Sequence, residues 1–271
     1  NFHFEAAADI LTEEEIALLQ KMRPGLVQLE IGVQSTNPET ITEIHRKMDF
    51  QKAAGVVKQI NAGGNVHQHL DLIAGLPYED LDSFGKSFDE VYTVRPEQLQ
   101  LGFLKVLKGS YMAEHQQEYE LMHKDTPPYE VLSTKWLSYD DILVLKSVEE
   151  MVETFYNSGQ FHHTITHLEL YFPSAFEMYC RMGRFYEAMG YHKQSHSRMR
   201  RYEILLEFLE TVIPEKNLDF FRELLTFDLY LRENVKNRPD FAGNYTVKKE
   251  ELFRLYDEVF PEEEELLLYA G

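Results

Sequence analysis

Two segments, LVQLEIGVQSTN at Leu26–Asn37 and HLDLIAGLPYED at His69–Asp80, constrain this chain more than any other feature. Each is an apolar run that gives way to a polar or Gly-rich turn, and a helix-length stretch separates them. Apolar strands that alternate with helices pair in parallel through right-handed crossovers. Loops at the carboxyl ends of such strands are where an α/β barrel builds its site.

The alternation extends over the first 110 or so residues. Phe2–Ala7 reads as a strand. Thr12 and Glu15 form a capping box, side chain and backbone N–H satisfying each other across three residues. That box opens a helix through Ile16, Leu19 and Met22 which stops before Pro24-Gly25. Leu26–Val33 reads as a strand, Phe50–Ala62 as a helix closed by Gly63-Gly64, and Val66–Ile73 as a strand. Leu81–Tyr92 reads as a helix ended by Arg95-Pro96, and Leu99–Val106 as a strand. Four strands are too few to close an eight-stranded barrel. The expected fold class is α/β, with an open, curved, four-stranded parallel sheet resembling half a barrel and helices on its outer side.

From Ser110 onward the strand signals stop, and long stretches with helical apolar periodicity take over. Tyr111–Lys124 reads as a linking helix near the Pro127-Pro128 pair, and Ser138 caps a helix over Tyr139–Asn157 that ends at Gly159. Pro173, read as a first-turn residue, opens a helix to Met189 closed by Gly190. Ser195–Val212 and Leu218–Leu231 complete the helical set. The acidic run Glu262–Glu265 before Leu266–Leu268 reads as a solvated tail. The expected organisation is a partial barrel over residues 1–112 and a helical region over 113–271.

With 27 basic against 46 acidic residues the net charge is −19, which argues against nucleic acid as a partner. No apolar run reaches the length of a membrane span, and no basic–apolar targeting signal opens the chain. The expectation is a cytoplasmic protein with a small-molecule substrate. The start at Asn1 in mid-strand reads as that of a fragment. The single cysteine, Cys180, excludes an internal disulfide and a cysteine-rich metal site.

Asp71 sits inside an apolar strand between Leu70 and Leu72. A buried carboxylate is costly unless paired, so Asp71 is either satisfied within the core or aimed at a ligand. Gly75, Leu76 and Pro77 let the backbone turn sharply at that strand end, where a ligand can approach. Gln34 and Ser35 end the neighbouring strand, either as loop formers or as part of a shared site. The pairs His163/His167 and His192/His196 have the i, i+4 spacing of helical zinc ligands, but neither has a third ligand nearby in sequence, so packing is their expected role. His67 and His69 alternate on one strand face, and Trp136 with the many Tyr and Phe of the helical region reads as core.

The stretch LEIGVQSTNPETITEIHRKM resembles the fourth strand and following helix of radical S-adenosylmethionine enzymes of the oxygen-independent coproporphyrinogen dehydrogenase type. FHFEAAAD, LDLIAGLPYED and LQLGFLKVLKGS are similar to their third, fifth and sixth strands, so the resemblance covers residues 1–112. It implies that Glu5 holds the amino group of the methionyl moiety and Arg46 its carboxylate. Gln34 and Asp71 would take the ribose hydroxyls, with Gly75 near the adenine. The implied cofactors are S-adenosylmethionine and a 4Fe-4S cluster held by a CxxxCxxC loop. That loop is not in this chain, so the cluster ligands lie outside it and the chain alone is expected to be inactive. The helical region resembles, more loosely, the C-terminal part of radical enzymes that carry a cobalamin-binding domain. The open sheet, with edge strands and apolar inner-face residues uncovered, leads to an expectation of covering helices or a homodimer. Two other functions fit the bare residues: an interaction or regulatory module, and an unrelated α/β lyase with Asp71 as base.

Overall fold

The computed structural model describes residues 1–233, 235 and 238–242; the acidic run Glu262–Glu265 and Leu266–Leu268 lie outside the described residues. A parallel sheet of four strands comes first, formed by β1 (Phe2–Glu5), β2 (Val27–Gln34), β3 (His67–Ala74) and β4 (Gln98–Phe103), paired in the order β1-β2-β3-β4. Between β1 and β2 lies α1 (Glu13–Leu19), entered through the Thr12–Glu15 capping box. After β2 come the short α2 (Pro38–Glu43), with Asn37 as its cap, and α3 (Phe50–Asn61), capped by Asp49. Helix α4 (Leu81–Tyr92), capped by Asp80, returns the chain to β4.

Alternation within the strands sorts the two faces. Val27, Leu29, Ile31 and Val33 of β2, with Leu70, Leu72 and Ala74 of β3, are buried under the helices. Helix α4 turns Phe84, Phe88, Val91 and Tyr92 to that face, each at most 2% exposed. Every such large side chain contributes about 1.5–3 kcal/mol of burial. The opposite face carries Gln28, Glu30, Gly32 and Gln34 on β2, then His67, His69 and Asp71 on β3. This open face is polar, which corrects the expectation of uncovered apolar residues there.

The helical region begins later than the sequence reading places it. The linking helix expected at Tyr111–Lys124 is a single turn, α5 (Tyr111–Glu114), which leaves helical geometry at His115 (φ −99°, ψ 14°) and gives way to turns that reach a left-handed Glu120 at a φ of 49°. Next come β5 (Met122–His123) and β6 (Val131–Ser133), a two-stranded antiparallel pair that the reading lacked. Helix α6 (Tyr139–Val152), capped by Ser138, continues as a π-helical segment over Glu153–Asn157 and stops at Gly159, with a φ of 62°. Helix α7 (His162–Leu168) is new relative to the reading. Helix α8 (Ala175–Ala188) is capped by Ser174, which puts Pro173 before the cap and not in the first turn. Helices α9 (Arg198–Val212) and α10 (Glu215–Arg232) complete the set.

One contiguous core runs through both regions. The two are joined where α4 meets α8: Gly85 lies so close to Phe176 that a Cβ would meet its Cδ1 at 2.7 Å, and Asp89 accepts the Phe176 N–H at 2.8 Å. The outer edge of β4 is occupied by the helical region. Asn157 both accepts from Leu99 N and donates to Leu99 O, and Lys105–Val106 meet Tyr129–Glu130. The outer edge of β1 has no neighbouring strand among the described residues, and Phe2 and Phe4 stand exposed beside it.

Candidate functional site

Where the carboxyl ends of β1, β2 and β3 meet, a cavity of about 440 Å³ lies against the open face, lined by Glu5, Glu30, Gly32, Gln34, Arg46 and Asp71 with Ala6 and Ala7. The sheet brings these side chains together by register, with Gly32 beside Asp71 and Glu5 beside Glu30. Between Gly32 and Gln34 the pairing slips by one residue, and Gln34 adopts a φ of 72°. Such a bulge turns a side chain out of the regular alternation, and a left-handed non-Gly residue persists only where its surroundings hold it. Here the bulge lays the Gln34 amide over Gly32, whose missing Cβ leaves the room it occupies. Arg46 folds back from the end of α2 and donates from its guanidinium to the Gly32 carbonyl.

Three inward polar atoms have no partner among the described residues: Gln34 Oε1, Asp71 Oδ1 and Arg46 Nε. Buried polar atoms are normally paired, so these three constitute an unmet demand for hydrogen bonds at one place. Burial, then the neighbouring Glu30 and Glu5 carboxylates, push Asp71 up to about 6, with His3 acting in the opposite direction. Three carboxylates, one guanidinium and one amide suit a ligand with two positive centres, one carboxylate and hydroxyls.

Of the five residues expected to hold a ligand, Glu5, Gln34, Arg46 and Asp71 share this cavity. Gly75 does not line it. At a φ of 92° it makes the turn at the end of β3 and packs under Val131, whose Cγ1 a Cβ would meet at 2.8 Å. Ser35 faces the other way. It is fully buried and donates to Glu79 Oε1 at 2.6 Å, while Ser87 donates to the same oxygen at 3.0 Å, tying the loops after β2 and β3 to α4. Desolvation pushes Glu79 up to about 7 despite these two bonds. Glu30 was absent from the expected set. Its signal is the period of two in VQLEIGVQ, which puts Gln28, Glu30, Gly32 and Gln34 on one face.

The histidines behave otherwise. His163 and His167 on α7 pack on Phe227 and Phe220 of α10, with ring centroids 4.9 and 5.3 Å apart. His192 and His196 do not share a helix, since His192 lies in a 3-10 turn at Tyr191–Lys193 and His196 precedes α9. No cluster of three or more His, Cys, Asp or Glu that would hold a metal ion occurs among the described residues. None of their helices is long and apolar enough to cross a membrane.

Comparison with known proteins bears on both regions. The oxygen-independent coproporphyrinogen-III oxidase-like protein HemZ of Bacillus subtilis is 27% identical over 117 residues, 43% of this chain and 23% of the relative. The oxygen-independent coproporphyrinogen III oxidase of Salmonella typhimurium is 30% identical over 105 residues, 36% of this chain and 23% of the relative. The matches to these curated relatives span about a quarter of their length. Among solved structures, the coproporphyrinogen III oxidase HemN of Escherichia coli, a radical SAM enzyme, aligns over 56% of this chain and 32% of its own, at 19% identity and a TM-score of 0.42. Over the residues they match, the chain is thus similar in sequence to oxygen-independent coproporphyrinogen oxidases. The model of the family described as "Protein of unknown function (DUF4080)" matches residues 117–268, more than half of the chain, and the chain belongs to that family.

Proposed function

We propose that the cavity at the ends of β1, β2 and β3 is the S-adenosylmethionine site of a radical enzyme, and that this chain supplies the part which binds the methionyl and ribose groups. The observation that carries the reading is the set of unpartnered inward atoms on Gln34, Asp71 and Arg46 beside the Glu5 and Glu30 carboxylates. S-adenosylmethionine bears a sulfonium and an ammonium against one carboxylate, and the cavity offers the complement, three carboxylates against one guanidinium. Glu5 faces the ammonium and Arg46 the carboxylate. Asp71 and the Gln34 carbonyl accept from the ribose diol, which gives Gln34 Oε1 and Asp71 Oδ1 the partners they lack. A bound cation also draws the proton off Asp71, whose ionisation burial opposes.

When bound together with a 4Fe-4S cluster, this cofactor supplies one-electron chemistry. The cluster's cysteines would come from outside this chain, whose one cysteine, Cys180, is buried in α8 with its thiol pushed up to about 12 by burial. The open polar face of β2 and β3 would then receive a small-molecule substrate below the cofactor. Cobalamin rests on the looser resemblance of the helical region and belongs to this proposal only for a longer protein with a domain to hold it. A cytoplasmic location and a homodimer joined through β1 are likewise proposed.

Equilibrium dialysis of labelled S-adenosylmethionine against the purified chain tests the reading. Asp71→Asn and Gln34→Ala should each weaken binding by about 0.5–3 kcal/mol at unchanged melting temperature. S-adenosylhomocysteine, without the sulfonium charge, should bind more weakly. Affinity should fall as the pH drops through about 6, because protonation removes the Asp71 charge. Equal affinity for the two compounds, or an Asp71→Asn variant that binds as the wild type does, refutes the assignment.

A further inference from the structure

A second cavity, of about 650 Å³, lies at the opposite end of the sheet, wedged between the amino-terminal ends of β3 and β4 and the helical region. It falls in the size range of small-molecule sites and sits where two parts of a protein meet, a common position for them. His67 on β3 borders it and Asp71 on the same strand face borders the first cavity, so about 13 Å of strand separates the two.

The walls are pre-set by bonds among themselves. Arg95 holds Glu169 in a two-pronged ion pair, and Tyr92 donates to the same carboxylate at 2.6 Å. Tyr156 in the π-helical segment donates to the Pro96 carbonyl at 2.5 Å, and Asn157 clasps Leu99 at both N and O. That segment contributes Phe155 and Tyr156 to the wall; single π turns of this kind occur often at functional sites. The carboxylates are committed: Glu169 to Arg95, and Glu97 to the Gln68 N–H at 2.9 Å.

The donors are not. Arg232, at the end of α10, reaches across Gly159, where its Nη2 lies 2.8 Å from the position a Cβ would take, and it makes no ion pair among the described residues. The neighbouring Glu233 goes to Arg198 instead. The rings of His67 and His162 border the same space without a hydrogen-bond partner among the described residues. We infer that this cavity binds a small organic oxyanion, a phosphate or carboxylate on a planar apolar body. Arg232, His162 and His67 would meet the oxygens, and Tyr156 and Phe155 the body. A guanidinium makes paired, charge-assisted bonds to either oxyanion, and the aromatic wall favours a ligand larger than the ion itself.

Calorimetric titration of the purified chain with phenyl phosphate, benzoate and inorganic phosphate tests this. The two aromatic compounds share a ring and differ in the oxyanion, so the tighter one identifies the headgroup. One of them should saturate a single site and bind more tightly than inorganic phosphate. Arg232→Gln should weaken it about ten-fold or more, and Gln34→Ala, at the other end of the sheet, should leave it unchanged. Should Arg232→Gln lose its circular dichroism signal, His162→Gln, at an exposed position, carries the same test with a smaller loss. No saturation at millimolar ligand, or equal binding by the folded variant, overturns the inference. Neither result touches the S-adenosylmethionine reading, whose ligand and variants differ.

Discussion

Glu79 offers the sharpest test of how the site loops are held. Its carboxyl is fully buried, takes two hydroxyl bonds on Oε1 and leaves Oε2 without a partner. In the unfolded chain it ionises near an ordinary 4.5, and in the folded protein near 7. Between those values the folded state keeps a proton that the unfolded state has released, so stability falls as pH rises through the window and levels off above it. At about 1.4 kcal/mol per pH unit the loss is about 3 kcal/mol. Glu79→Gln has nearly the same shape, still accepts from Ser35 and Ser87 through its carbonyl, and has no charge to develop. Urea unfolding of both proteins at pH 4.5, 6 and 8 isolates the effect. The stability difference, wild type minus variant, should move by about 3 kcal/mol against the wild type from the lowest pH to the highest. A difference that stays flat across the window refutes the argument, because it would mean that ionisation of the buried carboxyl costs nothing.

Two further outcomes follow from packing and hydrogen bonding. Asp228 on α10 is 2% exposed and accepts from His163 N, Thr164 N and Thr164 Oγ1 at 2.8–3.1 Å, so it caps α7 from a distance. Asp228→Ala strands three donors and should cost about 2–4 kcal/mol in chemical denaturation; a loss well below 1 kcal/mol would mean that water replaces the carboxylate. Gly32→Ala places a Cβ on the Gln34 amide. It should weaken S-adenosylmethionine binding by about 1 kcal/mol, the value of one displaced hydrogen bond, and unchanged affinity in dialysis would show that Gln34 has another way to reach the ligand.

The sheet was legible because local and global signals agree there. The capping box at Thr12, the glycine stop after Asn61 and the apolar runs of β2 and β3 all specify what the fold uses. Asp71 was legible as a charge inside an apolar run. Glu30 was not singled out, because a glutamate in an alternating strand looks like an ordinary exposed residue until the neighbouring strand places Asp71 near it. The failures lie where a few backbone dihedrals outweigh propensity. Tyr111–Lys124 is rich in helix formers, yet its helix ends at Glu114, and past a left-handed Glu120 the chain enters a hairpin. The surroundings of Gly75 were illegible for a related reason: its positive φ marks a turn, and only the packing of Val131 says what lies on the other side.

The sheet also has a direction of growth. At β4 the edge is met at both ends, Leu99 by the Asn157 amide and Lys105–Val106, just past the strand, by Tyr129–Glu130, so that border is covered by the protein's own side chains and hairpin. At β1 the peptide groups of Phe2–Glu5 pair on one side only among the described residues, and two phenylalanine rings stand uncovered next to them. Any extended segment that joins this sheet, from the same polypeptide or from another, has one border on which to nucleate. A strand docked there would run beside Glu5, so recruitment at that border and the first wall of the ligand cavity would be built in the same event.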